Sequence, residues 1–376
     1  MKNIEVKGVQ FVNKGAELML VAVEDALSSL KDKNYQLVLS PRNSPYTKRS
    51  EYRALQKIGN LYKRIDWSII DWMIPERLCM TYGLAKHRHI DIVLDASGFA
   101  YGEQWSSKML AHSVRQAKIM KENNKHYIFL PQAMGPFRSD RYKDLIKKAV
   151  NYCSLMFIRD RMSYEYVTKI TGERDNIILA PDFTNLLEVT KQSVLGEKIF
   201  TVIPNGKMLS KLNLKGNNGR DYLAEFTAVA RHAQEKGYQV KILNHEGMGD
   251  LEICSMIYSK LKKDSAILLN DLGAVDVKSQ IYSSNLVLSS RFHGCVSALS
   301  QGVPVISTSW SHKYEMLFEN YNASELVYDF KDDLTSKFDD VLITLDLTKE
   351  KLSKFALSEK NRSSQMWEKV FDVIDI

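Results

Sequence analysis

Leu286-Val-Leu-Ser-Ser-Arg291-Phe-His293-Gly-Cys-Val-Ser-Ala-Leu-Ser-Gln-Gly302-Val-Pro304-Val-Ile306 is the stretch on which the fold reading turns. It reads as a buried strand (Leu286–Leu288), an Arg-Phe-His-Gly corner, a small-residue helix (Cys295–Leu299) and a second strand opened by Gly302-Val303-Pro304. The corner sets Arg291 and His293 at a strand's carboxyl end and a helix's amino end. Open α/β sheets bind ligands in that crevice, where unpaired backbone N–H groups and the helix dipole favour anions. A guanidinium and an imidazole there point to a phosphorylated or carboxylated substrate.

Outward from this corner, strand-like and helix-like segments alternate along the chain. Ile4–Val6, Gln36–Leu39, Ile90–Asp95, Tyr127–Leu130, Met156–Arg159 and Ile177–Leu179 read as strands, with amphipathic stretches such as Gly15–Leu30, Ser106–Lys121 and Arg141–Tyr152 between them. A second alternation runs from Ile199–Ile203 through Gln239–Leu243 and Ala266–Leu269 to Val303–Ser307, with helices at Tyr222–Lys236, Leu251–Leu261 and Val275–Ser283. Alternation of this kind means βαβ units and mostly parallel sheets.

At 376 residues two domains are expected. The fold class is α/β, with two Rossmann-like domains facing across a cleft. The polar, aperiodic bridge Thr190–Lys198 divides them into residues 1–192 and 193–348, with a helix over 349–376 that crosses back to the first domain. Residues 51–85, with Trp67, Trp72, Met73 and Tyr82, read as a helical insertion carrying an aromatic face.

Composition excludes several classes. Hydrophobic content of 44% and charged content of 26% are ordinary for a globular protein, and no apolar run is long enough to span a bilayer. No signal peptide is visible, so a cytoplasmic location is expected. Cys79, Cys153, Cys254 and Cys295 form no CxxC pair, which predicts buried free thiols rather than disulfides or a zinc site. No metal-ligand cluster is seen, so no metal is expected. The net charge of +7 fits acidic substrates, an anionic membrane surface or simple solubility. Basic residues gather in Arg42–Arg53, with Lys63-Arg64 beyond; no nucleic-acid module accompanies them, so nucleic acid is disfavoured.

Further candidate residues follow strand ends. Gly8-Val-Gln-Phe-Val-Asn13-Lys-Gly-Ala-Glu17 has the wrong glycine spacing for a dinucleotide fingerprint, but it offers Asn13 and Glu17 to a substrate. Asp95-Ala-Ser-Gly98 places Asp95 to bond sugar hydroxyls, or else forms a plain turn needing glycine. Gln132, in Pro131-Gln-Ala-Met-Gly-Pro136, points toward the same edge. Arg159 ends a strand; either Asp160 satisfies it or an anionic ligand does. His312 and Lys313 follow the strand next to the corner, so Arg291, His293 and Lys313 converge at one rim and suggest a polyanion site.

These residues resemble the polysaccharide pyruvyl transferase family over most of the chain. The resemblance is carried by Asn13-Lys-Gly-Ala-Glu17, Leu130-Pro-Gln-Ala-Met-Gly-Pro136, Arg159-Asp160 with Ser163, Ala180-Pro-Asp182, and above all Ser290-Arg-Phe-His-Gly294 with Ala298, Gly302-Val-Pro304 and Lys313. Where the family often has Gly-Gly-Gly, this chain has Asp95-Ala-Ser-Gly98. The resemblance implies the GT-B-like arrangement of two Rossmann-like domains, with the acceptor on the first and phosphoenolpyruvate on the second. It also implies transfer of pyruvate from phosphoenolpyruvate, as co-substrate with no other cofactor, to two hydroxyls of a sugar, giving a ketal and phosphate. Such a reaction belongs to the biosynthesis of a capsule or exopolysaccharide.

In that scheme His293, Arg159 and Lys313 are catalytic. Arg291, Phe292, Gly294, Asn13, Glu17, Asp95, Gln132 and His312 bind substrate. His293 suits proton transfer because its unperturbed pKa is about 6.5. Expected partners are phosphoenolpyruvate and a nucleotide-, lipid- or polymer-linked sugar acceptor. The basic segment and aromatic insertion add peripheral contact with the inner membrane surface. A nucleotide-sugar glycosyltransferase of GT-B type and a non-catalytic sugar- or anion-binding protein are the competing readings, because fold does not fix function.

Overall fold

The computed structural model describes residues 1–30, 34–59, 61–62, 65–66, 71–192, 196–210, 213, 221–309, 311–331 and 333–374. Its chain contacts divide it into two units, the first comprising Met1–Phe11, Met19–Phe183 and Ser364–Ile376, the second Val12–Leu18 and Thr184–Ser363.

The strands of the first unit are β1 (Lys2–Lys7), β2 (Tyr35–Leu39), β3 (Leu55–Lys57), β4 (Leu61–Tyr62), β5 (Ile65–Asp66), β6 (Leu84–Ala85), β7 (Ile92–Asp95), β8 (His126–Gln132), β9 (Leu155–Ile158) and β10 (Ile177–Leu179). Helices α1 (Lys14–Ser28), α2 (Tyr46–Glu51), α3 (Glu76–Tyr82), α4 (Ser107–Glu122), α5 (Asp140–Tyr152) and α6 (Arg161–Thr171) alternate with them. Eight strands form one parallel sheet in the order β10-β9-β8-β7-β1-β2-β3-β6, while β4 and β5 pair antiparallel on their own. The order reverses between β1 and β7, which makes the sheet doubly wound.

Strands covered on both faces read as unbroken apolar runs. Ile-Val-Leu-Asp in β7 and Leu-Met-Phe-Ile in β9 are buried throughout. One core cluster joins α4 and α5 to β7 and β8 through Leu110, Ile146, Val93 and Phe129.

The expectation of a helical insertion over 51–85 is corrected in part. Leu55–Lys57 and Leu84–Ala85 are the last two strands at one side of the main sheet, paired Gln56↔Leu84 and Lys57↔Ala85, with Leu84–Ala85 at the edge. Lys57 is drawn inward because its ammonium bonds Glu5 at 2.5 and 2.7 Å, a pair that Gln116 completes at 2.6 Å. Only α3 is helical in the described part of that segment; Lys63, Arg64 and Trp67 lie outside the described residues.

In the second unit β11 (Ile199–Ile203), β12 (Gln239–Leu243), β13 (Ala266–Leu269), β14 (Leu286–Ser289), β15 (Val305–Thr308) and β16 (Val327–Tyr328) form a parallel sheet in the order β13-β12-β11-β14-β15-β16. Its helices are α7 (Tyr222–Glu235), α8 (Gly247–Ser259), α9 (Ala274–Tyr282), α10 (Phe292–Leu299), α11 (Lys313–Asn320), α12 (Leu334–Ile343) and α13 (Leu345–Ile374). The order reverses between β11 and β14. Residues 193–195 of the expected linker lie outside the described residues. The end of α13, counted with the first unit, sets Trp367 edge-on to Phe183 and offers the Ile374 carbonyl to the Lys2 ammonium.

Candidate functional site

The reversal point of the second sheet is where the chain leaves β11 and β14 side by side, in the register Ile203↔Ser289. Buried polar atoms at such strand ends need partners. Asn205 donates to the Ser290 carbonyl at 2.8 Å, and the Ser290 hydroxyl meets Tyr222 at 2.7 Å and Thr308 at 2.6 Å. Tyr314 donates to the same carbonyl at 2.7 Å. This bracing fixes the turn Ser290-Arg291, and α10 begins directly after it. The first bond of α10 runs from the Cys295 N–H to the Arg291 carbonyl, so the N–H groups of Phe292, His293 and Gly294 precede the helical ladder.

Arg291 was expected to bind substrate. Its bidentate acceptor is instead Asp250 in the first turn of α8: Nε donates to Oδ2 at 2.7 Å and Nη2 to Oδ1, while Nη1 reaches Glu246. Asp250 also accepts the Gly206 N–H at 3.0 Å. Burial alone would weaken the Arg291 charge, but Asp250 and Glu246 outweigh it and hold the guanidinium protonated. Burial likewise opposes the charge on Glu246, and Arg291 and Lys207 leave its carboxyl below the ordinary range. The guanidinium is a brace tying β14 to the start of α8.

His293, half-buried in the first turn of α10, is positioned by Gly15. A Cβ on Gly15 would lie 2.2 Å from the imidazole Nδ1 and 2.5 Å from Cγ, so only glycine lets the backbone pass so close to the ring. Gly15 lies in the first turn of α1, which Asn13 caps: the Asn13 Oδ1 accepts the Gly15 and Ala16 N–H groups at 3.0 and 3.3 Å. This turn is tied down where Lys14 N–H donates to the His245 carbonyl at 3.2 Å and where Asn13 bridges Glu246. Glu17 is buried against the Lys14 ammonium at 2.8 Å. Asn13 and Glu17, expected to meet substrate, therefore shape and hold this turn.

Phe292 stands edge-on to His293 at 5.6 Å and to Tyr314 at 5.7 Å, with the Lys313 ammonium 5.0 Å from its ring centre. His293 and Lys313 thus converge on one aromatic ring, a favourable place for a cation. Lys313 is buried at the start of α11, and His312 precedes it half-buried at the N-cap. Phe292 itself is buried, a spacer between the two rather than an exposed contact. Gly294, expected to bind substrate, faces the sheet: a Cβ would lie 2.6 Å from the Ser289 hydroxyl and 3.2 Å from Ile203, so its role is close helix–strand packing.

One residue that the sequence reading passed over belongs here. His245 follows β12, is buried, and its Nδ1 has no hydrogen-bond partner among the described residues. Its signal was available, since it too sits just past the carboxyl end of an apolar strand. Burial pushes its proton affinity well below the ordinary histidine value, and the cations Arg291, His293 and Lys14 add to this. The unfolded chain binds that proton near pH 6.5 while the folded chain does not. Stability from this group is therefore present above about pH 6.5 and lost as the pH falls, by up to about 1.4 kcal/mol per unit. Urea midpoints measured from pH 7.5 to 5.5 (about two units) should fall less steeply in His245→Asn. Parallel slopes would mean that His245 is not held neutral.

In the first unit, Arg159 follows β9 and is buried, its Nη1 donating to Asp182 at 3.0 Å. Asp160 does not serve it; that carboxylate caps α6, accepting the Ser163 N–H at 2.7 Å and hydroxyl at 2.8 Å. Asp95 is corrected as a sugar contact. It is fully buried and accepts from Ser97, from Tyr101 at 2.7 Å and from Tyr127 at 2.5 Å. Burial and then the Asp95 charge push both tyrosine hydroxyls well above their ordinary range. Gln132, also fully buried, donates to the Asp95 carbonyl at 2.8 Å and so anchors the end of β7.

At the reversal point between β1 and β7 lies a cavity of about 250 Å³ lined by Lys7, Gly8, Arg42, Ser97, Tyr101 and His112, among others. Among the described residues no three His, Cys, Asp or Glu side chains gather to hold a metal ion. The four cysteines are buried free thiols, and among the described residues no helix is long and apolar enough to cross a membrane.

Solved structures share this fold. MnaA of S. aureus, in its co-structure with UDP, superposes with a TM-score of 0.63 at 13% identity, over 100% of this chain and 97% of that one. UDP-GlcNAc 2-epimerase of Neisseria meningitidis, bound to UDP-GlcNAc, gives 0.62 at 11% identity over 99% and 100%. Anabaena Alr3699/HepE, in complex with UDP and glucose, gives 0.57 at 12% identity over 100% and 99%. At such identities the likeness shows the fold alone: two Rossmann-like domains of GT-B-like class. Curated protein sequences give no match. The family model described as polysaccharide pyruvyl transferase matches residues 13–312, a span running from the Asn13 cap through the Arg291–His293 corner to His312. With the second sheet's reversal point and the whole corner inside that match, which spans well over half of the chain, the chain belongs to the polysaccharide pyruvyl transferase family.

Proposed function

We propose that the chain transfers pyruvate from phosphoenolpyruvate to two hydroxyls of one sugar, forming a cyclic ketal and releasing phosphate in polysaccharide biosynthesis. The observation that carries this reading is the convergence of His293 and Lys313 on Phe292, at the amino end of α10. Basic side chains and a helix amino end at a sheet's reversal point suit a small ligand bearing phosphate and carboxylate. With Arg291 committed to Asp250 and Glu246, Lys313 and the first turn of α10 serve as the donor's anion contacts in the second unit.

The chemistry balances without a redox partner. A proton adds to the methylene carbon of phosphoenolpyruvate, and one sugar hydroxyl attacks the neighbouring carbon and loses its proton. The second hydroxyl then displaces phosphate, which leaves with that hydroxyl's proton. His293 is the group that gives and takes protons. The acceptor occupies the cavity at the β1/β7 reversal point, where Lys7, Arg42 and His112 offer polar contacts.

The test incubates the protein with phosphoenolpyruvate and a panel of nucleotide-, lipid- and polymer-linked sugars. Phosphate release that depends on the sugar, with a mass gain equal to pyruvate less water, is the expected result. Release of a nucleotide from a sugar nucleotide without use of phosphoenolpyruvate would make the protein a glycosyltransferase. Silence with every sugar would leave a binding protein.

A further inference from the structure

α3 is a helix that hides almost nothing. Of Glu76–Tyr82 only Cys79 is buried, while Leu78, Met80 and Tyr82 are 43%, 79% and 69% exposed. The turn before it presents Trp72 at 71% and Met73 at 64%. Short helices have little stability of their own and normally persist by burying an apolar face. Here the apolar side chains point outward, five large ones within the stretch Trp72–Tyr82. A concentration of exposed apolar side chains of this kind marks a place of contact.

The charge of the chain gathers at the same place. Residues 42–89 hold ten Lys and Arg against four Asp and Glu, a net +6 out of the chain's +7, although Arg49, Lys57 and Lys86 are buried and Lys57 is paired with Glu5. Of those acids, Glu76 already answers Lys86, Arg88 and His89. The basic segment of α2 leads into β3, which pairs with the edge strand β6 directly after α3, so the two helices precede neighbouring strands. Arg42, Arg53 and Arg77 are exposed. Exposed apolar side chains together with exposed basic ones fit a layer that is negative at its surface and apolar beneath. Trp and Tyr favour that boundary, and long basic side chains reach across it. A second copy of the chain fits less well, since a two-fold contact would set like charge against like.

We propose that Trp72, Met73, Leu78, Met80 and Tyr82 dock on an anionic lipid bilayer, steered there by the exposed Arg42, Arg53 and Arg77. The test is co-sedimentation with phosphatidylcholine vesicles containing about one part in three phosphatidylglycerol, and with vesicles of phosphatidylcholine alone. Wild type should bind the anionic vesicles, weakly at high salt. The triple variant Trp72→Ser, Met80→Ser, Tyr82→Ser should bind at least about tenfold less. Arg42→Gln, Arg53→Gln and Arg77→Gln should each lower binding about fivefold, on anionic vesicles only.

Turnover with a water-soluble acceptor should be unchanged in the triple serine variant, in Arg53→Gln and in Arg77→Gln, while Arg42→Gln, which lines the proposed acceptor cavity, is read by vesicle binding alone. Vesicle binding is read without substrate, so its result stands apart from the proposed reaction. The proposal falls if wild type stays in the supernatant with anionic vesicles, or if the triple variant binds as wild type does. It falls equally if sedimentation velocity shows the serine substitutions turning a dimer into a monomer, which would make this face a contact between copies.

Discussion

Asp250→Ala is expected to lower the stability of the second unit by about 3–5 kcal/mol, because it leaves a buried guanidinium with one acid where it had two. Arg291 donates to both oxygens of Asp250, and its side chain is almost wholly shielded from water. Glu246, more open to solvent, cannot supply the second pair of bonds. Replacing both partners by apolar residues of like volume, Asp250→Leu with Arg291→Met, should cost less than Asp250→Ala alone, since no charge then lacks its partner. Urea denaturation of the two single variants and the double variant measures this coupling. A loss under about 1 kcal/mol in Asp250→Ala would show that Arg291 finds water or another acceptor, and the brace would not exist.

His293→Gln is expected to lower kcat for pyruvate transfer by about 10²–10⁴-fold, the range for loss of a general acid or base, with a much smaller change in KM. Gly15→Ala offers an independent approach to the same side chain. It keeps the imidazole but drives a methyl into the space of Nδ1 and Cγ, so the ring must turn or the loop must shift. A displacement of about 1 Å at a reacting group costs on the order of 10²-fold. Gly15→Ala should therefore be slow although it retains His293, and Gly15→Ser should be no better. Near-normal turnover of His293→Gln at saturating substrate would reduce His293 to a binding residue. Normal turnover of Gly15→Ala would show that ring placement does not matter.

Much of this architecture was legible because strands buried on both faces announce themselves as apolar runs. β1, β2, β7 to β15 and the helices between most of them fall where the pattern puts them. β3, β6 and β16 did not show, since two or three residues are too few to display a period, and they are recruited by pairing with a neighbour already in place.

The corner Arg291–His293 was legible for a local reason: strand, turn and helix follow one another within a dozen residues. Its partners were not. Asp250 and Glu246 lie 41 and 45 residues upstream on a different helix start, and no periodicity links them to Arg291. Asp95 was misread for the same reason. As a strand-end acid it resembles a ligand contact, and only the arrival of Tyr101 and Tyr127 from other elements makes it the closed hub of a hydroxyl network. Arg159 and Asp182 both stood in the quoted motifs, but the motif order gave no hint that they bond to each other.

The uneven placement of charge has a further consequence. Outside residues 42–89 the chain is close to electroneutral, so the molecule carries a permanent electrical asymmetry rather than a uniform field. In a negative field such a particle experiences a torque before it experiences a contact. It turns its basic flank forward while still about a Debye length away, roughly 8 Å at physiological salt. Arrival is then already oriented, and added salt should lengthen the search for the right pose more than it loosens the pose once found.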